Sequence, residues 1–307
     1  MSNLPDLLPR VPGPKLQPFT PTAHAPIQFI RALGNPGADS HVWEVIINNQ
    51  PYALKMVMSA SSQGPKKPAS ESFCPQLTSP HFYNGYIDPF NCECRAYGRL
   101  KEENREHLAT PAHGYLLLRP DQELEITKLI VGPDHTPEED ARAQGGRIWN
   151  RHEEHRSLQI RAIVKDIAKG TDPFATADVP KMWSDLEALH AVGILVHDVH
   201  AYNYIGGKLI DFSRAWTTPH PGYVALDPDD VADEIVADPE GLNQAVEWGR
   251  EQGWVDADVV VPEDLAKCAA GEGPNQYGTD PKLYNWLKWE GDPLVASKFI
   301  ETQVVEL

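Results

Sequence analysis

The sequence is short of cysteine, of long apolar runs and of positive charge. Only four cysteines occur in 307 residues. Cys74, Cys92, Cys94 and Cys268 never fall at a Cys-x-x-Cys spacing, which argues against a disulfide scaffold or a cysteine zinc site and for free thiols in a reducing compartment. No apolar run reaches the roughly 18 residues that a membrane-spanning helix needs. The first residues, Met1-Ser2-Asn3-Leu4-Pro5-Asp6, offer neither a basic nor an apolar signal region, so no secretory leader and a cytoplasmic location are expected. Lysine and arginine total 27 against 44 aspartates and glutamates, a net charge of −17. That balance excludes a broadly basic nucleic-acid surface while leaving room for a local patch. It suits a solvated acidic surface or a pocket for a cationic ligand.

A 41% hydrophobic and 23% charged composition describes a globular protein long enough to bury a core. Residues 1–26 carry Pro5, Pro9, Pro12, Pro14, Pro18, Pro21 and Pro26 and read as an extended arm. Strand patterns follow at Ile27 to Ile30, Val42 to Ile47 and Tyr52 to Val57, with Asn48-Asn49-Gln50-Pro51 turning the second into the third. Met58 to Pro89 is rich in Ser, Pro, Gly and Lys and reads as an insertion. Glu93, Ala96, Tyr97 and Leu100 recur at helical spacing. Gly114 to Pro120 and Glu123 to Thr127 read as a strand pair, and Arg161 to Ile167 as a helix. A further helix is expected from Asp178, its N-cap, through Met182, Leu186 and Leu189 to Gly193. Helical patterns recur over 227–252 and 281–301, where Trp248, Trp254, Trp286 and Trp289 are expected to pack. His152-Glu153-Glu154-His155 lacks the spacing that places two metal ligands and a base on one helical face, so it reads as a polar loop.

The densest chemistry lies between Leu195 and Trp216. Two short apolar strands, Ile194 to Val196 and Lys208 to Ile210, are expected to join across Gly206-Gly207, with Asp198, Asn203 and Asp211 just past their ends. Lys55, inside the apolar strand Tyr52 to Val57, needs an anion if it is buried. Glu93, on the inward face of its helix, is the expected partner. A loop at Gly34 to Val42 occupies the place of a phosphate-covering glycine loop, but only Gly37 and Val42 fit the pattern G-x-G-x-x-G-x-V, which weakens the case for a tightly held triphosphate.

An aspartate, an asparagine five residues on and a second aspartate after a buried strand resemble the base and two magnesium ligands of kinase-like phosphotransferases. The resemblance implies an α+β, protein-kinase-like two-lobed fold. It divides the chain into an arm over 1–26, a small β-rich lobe over 27–130 with an insertion over 58–89, and a reduced, mainly helical lobe over 131–307. The motifs Tyr-Ala-Leu-Lys, Glu-Cys-Arg-Ala-Tyr-Gly-Arg-Leu and Asp-Val-His-Ala-Tyr-Asn-Tyr-Ile-Gly-Gly-Lys-Leu-Ile-Asp-Phe-Ser-Arg-Ala-Trp are closer still. They resemble a fungal family of kinase-related proteins labelled by similarity to a kinetochore subunit, over roughly residues 27–220.

Stand-alone members of that family resemble arginine-containing cyclodipeptide synthases. This implies secondary metabolism, with arginyl-tRNA and a second aminoacyl-tRNA as partners, no cofactor, and neither DNA nor membrane involved. In that reading Asp198, Lys55 and Glu93 are the catalytic candidates, Asn203, Asp211, His197 and His200 contact substrate, and Lys66, Lys67, Arg147, Arg151 and Arg156 build a basic groove. The alternative is a small-molecule phosphotransferase using ATP and Mg, with Gly37 and Lys55 on the nucleotide and Asn203 and Asp211 on the metal. A third reading is a catalytically silent kinase-like module of a protein assembly with an exposed apolar patch. The pattern also departs from kinases. Val196 and His197 stand where His and Arg of His-Arg-Asp would be, Asp-Phe-Gly has become Asp211-Phe212-Ser213, and no Ala-Pro-Glu follows.

Overall fold

The computed structural model describes residues 13–19, 26–34, 40–57, 85–132, 148–149, 159–220, 222–225 and 228–260. They fall into two compact units, one drawn from Gln17–Lys67 and Pro111–Ile167, the other from Met1–Leu16, Pro68–Thr110 and Ala168–Leu307. The class is α+β.

The first unit is a five-stranded antiparallel sheet. Its strands are β1 (Ile27–Ala32), β2 (Ser40–Ile47), β3 (Gln50–Val57), β4 (Ala112–Leu117) and β5 (Arg161–Lys165), in the order β1-β2-β3-β5-β4. β2 and β3 meet at Asn48-Asn49, both at positive φ (50° and 62°), as a two-residue hairpin turn requires. The expected four-residue turn therefore tightens, with Gln50 and Pro51 already paired in β3. β2 alternates inward and half-exposed side chains, whereas β3 is buried on both faces from Ala53 onward.

Two sequence expectations fail in this unit. Arg161 to Lys165 is a strand, because it fills the gap between β3 and β4 and hydrogen-bonds to both. A short apolar run such as Ala162-Ile163-Val164 has no periodicity with which to tell strand from helix. Glu123 to Thr127 is the converse case, lying inside helix α2 (Pro120–Val131). Pro120 opens that helix, and Gln122 reaches back to accept the Arg119 amide at 2.9 Å. Gln122 and Ile126 point inward four residues apart, and Leu124 and Leu129 outward, so the apparent alternation was a helical period. Ile126 joins Val45, Leu54, Met56, Leu118, Trp149 and Val164 in one core. Trp149 donates to Thr127 Oγ1 at 3.0 Å and packs edge-on against His41.

Residues 13–19 of the Pro-rich arm pack along both units' elements in turn, 17–19 on the sheet. Phe19 N donates to Tyr115 O at 2.8 Å and Tyr115 N to Gln17 O at 3.1 Å, laying residues 17–19 along the outer edge of β4. Gly114 permits this, since a Cβ there would come 2.5 Å from the Phe19 backbone.

The second unit is mainly helical: α1 (Pro89–Glu102), α3 (Val179–Ala191), α4 (Gly222–Ala225) and α5 (Pro228–Glu251). Asp88 caps α1 by accepting the Asn91 amide at 3.2 Å, and residues 89–100 are buried. Residues 13–16 run against this helix. Leu16 N donates to Cys94 O at 2.7 Å, and Gly98 leaves room for the Lys15 backbone, which a Cβ would meet at 2.5 Å. Cys92 and Cys94 are buried and joined in no disulfide, as expected, and burial raises the Cys92 thiol far above its usual value.

α3 forms where its stripe predicts, with Asp178 at the N-cap position, but the Asp178 side chain makes no capping hydrogen bond to it. The carboxylate instead accepts the Ala175 amide at 2.8 Å and closes the preceding 3-10 turn. Four short strands follow: β6 (Ile194–Leu195), β7 (Tyr204–Ile205), β8 (Lys208–Leu209) and β9 (Trp216–Thr217). Gly206-Gly207, both left-handed, join β7 to β8, while β6 pairs with β9. The expected pairing of residues 194–196 with 208–210 was wrong because a two-residue turn pairs the residues directly flanking it. Trp248 and Trp254 pack edge-to-face with ring centres 4.7 Å apart; Trp286 and Trp289 lie outside the described residues.

Candidate functional site

The second unit gathers most of the polar residues singled out in the sequence. α3 stops at Gly193, whose φ of 74° reverses the chain into β6. Immediately beyond, Val196, His197 and Asp198 are held by a side chain the sequence did not single out. Asp238 of α5, 1% exposed, accepts the amides of Val196 (2.6 Å) and His197 (2.7 Å) and faces His190 Nε2 of α3 at 2.9 Å. One carboxylate thus ties two helices and a loop together and satisfies three buried polar groups. His197 pays for the sharp bend with a left-handed φ of 57°.

The next turn of α5 is fitted to the same loop. A Cβ on Gly241 would lie 2.6 Å from the Val199 carbonyl oxygen. Gly241→Ala is therefore expected to destabilise by about 1–3 kcal/mol, although alanine is intrinsically the better helix former. A urea denaturation midpoint measures this, and an unchanged or raised midpoint would refute the close packing.

Asp198 is 34% exposed at its side chain and stands 3.6 Å from His200 Nε2. Asn203 Nδ2 donates to its backbone oxygen at 2.8 Å and to its Oδ2 at 3.1 Å. The 3-10 turn Ala201–Asn203 leads into β7, and Ile210 N donates back to Asn203 O at 2.9 Å, so the hairpin returns the chain beside Asn203 just before Asp211. Asp211 Oδ1 accepts the Ser213 amide at 2.7 Å. Asp198, Asn203 and Asp211 are thus carried by one loop and its hairpin. Glu93 lies in the same unit on α1, wholly buried, and Lys55 on β3 of the other unit, 4% exposed; neither is without a partner. Gly37 and the basic candidates Lys66, Lys67, Arg147, Arg151 and Arg156 lie outside the described residues. Among the described residues no group of three or more His, Cys, Asp or Glu is placed to hold a metal ion.

His197 is engaged by α5 and by Trp216. Its Nδ1 meets Glu234 Oε2 at 3.1 Å, and that bond holds the Glu234 carboxyl below its usual range. The ring lies 4.3 Å from Trp216, which stacks on His220 at 4.5 Å. Arg95 and Arg99 of α1 hold the exit of this segment. Arg95 donates to Thr217 O at 2.9 Å and to Pro219 O, and Arg99 to Thr218 O at 2.7 Å.

His220 is locked in its neutral form. Nε2 faces Tyr86 O at 3.2 Å and is the donor, while Nδ1 accepts the Gly222 amide at 3.1 Å, and burial holds its pKa well below the ordinary 6.5. The unfolded chain binds this proton at a higher pH than the folded one. Stability should therefore fall as the pH drops below about 6.5, with a slope of at most one proton from this group. Denaturation midpoints measured across that range, compared with His220→Gln, check it; the variant should lose the slope.

Together these features define an α+β protein whose helical unit presents a polar Asp-Asn loop braced by a buried carboxylate. Residues 4–216 match the family described as kinetochore Sim4 complex subunit FTA2, and the chain belongs to that family. No curated protein matches the chain. The match corrects the expected activity and partners. It points to a subunit of a protein complex, not to a cyclodipeptide synthase of secondary metabolism acting on aminoacyl-tRNA. Asp238 lies beyond the matched residues, and in sequence it is one of many acids in α5, which is why motif reading missed it.

Proposed function

We propose that this chain is a nuclear subunit of a kinetochore protein assembly, with a kinase-like two-lobed scaffold used for binding and without catalysis. The family match over residues 4–216 carries this reading. The kinase-like assignment is supported by Lys55 on β3, Glu93 on the helix between β3 and β4, and Asp198, Asn203 and Asp211 in that order around a hairpin. A binding role is supported by Asn203, whose amide nitrogen is spent on Asp198, and by the bracing of the loop through its backbone. Among the described residues no helix is long and apolar enough to cross a membrane. The test is microscopy of the tagged chain beside a centromere marker. Coincident foci that persist in Asp211→Asn are expected; a diffuse cytoplasmic signal would overturn the proposal.

A second reading, phosphotransfer to a small molecule, is favoured by the grouping of Asp198, Asn203 and Asp211. Asp211 and the Asn203 side-chain oxygen offer the hard oxygen donors that magnesium takes. When bound, ATP would supply the phosphoryl group and Mg would offset the charge on its phosphates. Asp198 would then accept the acceptor hydroxyl's proton, its exposed carboxylate steadied by Asn203. This reading requires magnesium-dependent nucleotide binding in a thermal-shift assay, lost in Asp211→Ala; wild-type protein that ignores Mg and ATP would remove it.

A further inference from the structure

Tyr202 is the one residue of the 3-10 turn between Asp198 and the hairpin that faces solvent, and at 69% exposure it is out of keeping with a large aromatic ring. Its ring is nonetheless held. Trp248 of α5 lies 4.9 Å away at a tilt, Trp254 packs edge-on against Trp248 at 4.7 Å, and Phe174 meets Trp254 at 6.3 Å and buried Tyr204 at 6.2 Å. An aromatic ladder thus climbs from the core to the surface, so the last ring is an anchored platform.

The surroundings are acidic. His200 lies 6.3 Å from the Tyr202 ring on one side and 3.6 Å from Asp198 on the other. Gln244 and Glu251, one turn either side of Trp248 on α5, are exposed. Glu247, 57% exposed, pairs with Arg250, the only cation of α5, which leaves Glu251 and Asp198 as the uncompensated charges nearest the platform. Negative charge beside an open aromatic face repels nucleic acid and attracts cations. Of the side chains that fit, arginine's flat guanidinium stacks on a ring while its edge reaches a carboxylate.

We propose that Tyr202 and Trp248, flanked by Asp198, form a docking point for an arginine-bearing basic segment of a protein partner. This rests on the reading of the chain as a binding subunit and names the chemistry of what it binds.

The test uses the purified full chain and a short fluorescent peptide of alternating arginine and serine, followed by anisotropy. A control peptide carries citrulline, which keeps the shape and loses the charge. Wild type should bind the arginine peptide and ignore the citrulline one. Tyr202→Ala should weaken binding at least about fivefold with unchanged thermal unfolding, as loss of a cation–ring contact implies, and Tyr202→Phe should retain it. Equal binding by wild type and Tyr202→Ala would overturn the proposal in favour of diffuse charge. Absence of wild-type binding would overturn it outright. Displacement by a single-stranded oligonucleotide would assign the platform to bases, and self-association lost in Tyr202→Ala would assign it to a second copy. These outcomes are independent of where the chain localises, so the docking point can fail while the assembly role stands.

Discussion

Asp238→Ala should cost about 4 kcal/mol, because it strands the amides of Val196 and His197 and the His190 ring in a buried site without their acceptor. That is a large share of the roughly 5–15 kcal/mol that holds a domain together. Asp238→Asn is the informative companion. Its single oxygen can serve one side of the carboxylate's role, while its NH2 is turned toward a donor on the other, so part of the loss should remain. Denaturant midpoints give the energies. Hydrogen exchange at Val196 and His197 shows whether the loop opens, and protection equal to wild type in Asp238→Ala would refute the brace.

Arg95→Met should cost about 3 kcal/mol, since it keeps most of the side chain's bulk and leaves the carbonyls of Thr217 and Pro219 buried without a charged donor. The ring of Tyr86, 4.8 Å from the guanidinium carbon, also loses a cation. The effect should concentrate in residues 216–220, where Trp216 stacks on His220. Near-ultraviolet circular dichroism should therefore change even where the helices persist. A variant with native stability and an unchanged near-ultraviolet spectrum would show that α1 does not hold this segment.

Patterns confined to neighbouring residues were legible in the sequence. The β2–β3 hairpin announced itself through two asparagines between alternating apolar runs, and α1 through the spacing of Glu93, Ala96, Tyr97 and Leu100. What failed depended on partners far along the chain. β5 is a strand only because β3 and β4 leave a gap for it, and β6 finds β9 across the whole intervening loop. The site divides the same way. Asp198, Asn203 and Asp211 lie within one short stretch and were visible as a motif, and their joining through Asn203 follows from the turn. Asp238 was not visible, because nothing in a helix rich in aspartate and glutamate marks the one carboxylate that is buried. The role of Tyr202 was equally hidden, since a tyrosine in a turn gives no sign that a tryptophan from a distant helix will support it.

The segment over residues 13–19 has a consequence for the order of events during synthesis. It leaves the ribosome before the residues it pairs with, since Leu16 bonds to Cys94 and Phe19 to Tyr115. Some 75 to 96 residues separate the segment from these partners, so it must wait for them before its backbone bonds can form. Gly98 and Gly114 keep the berths open for this late arrival, each free of the Cβ that would block the incoming backbone. Until then the segment carries Leu16 and Phe19 without their backbone partners, the condition in which a chaperone would meet it.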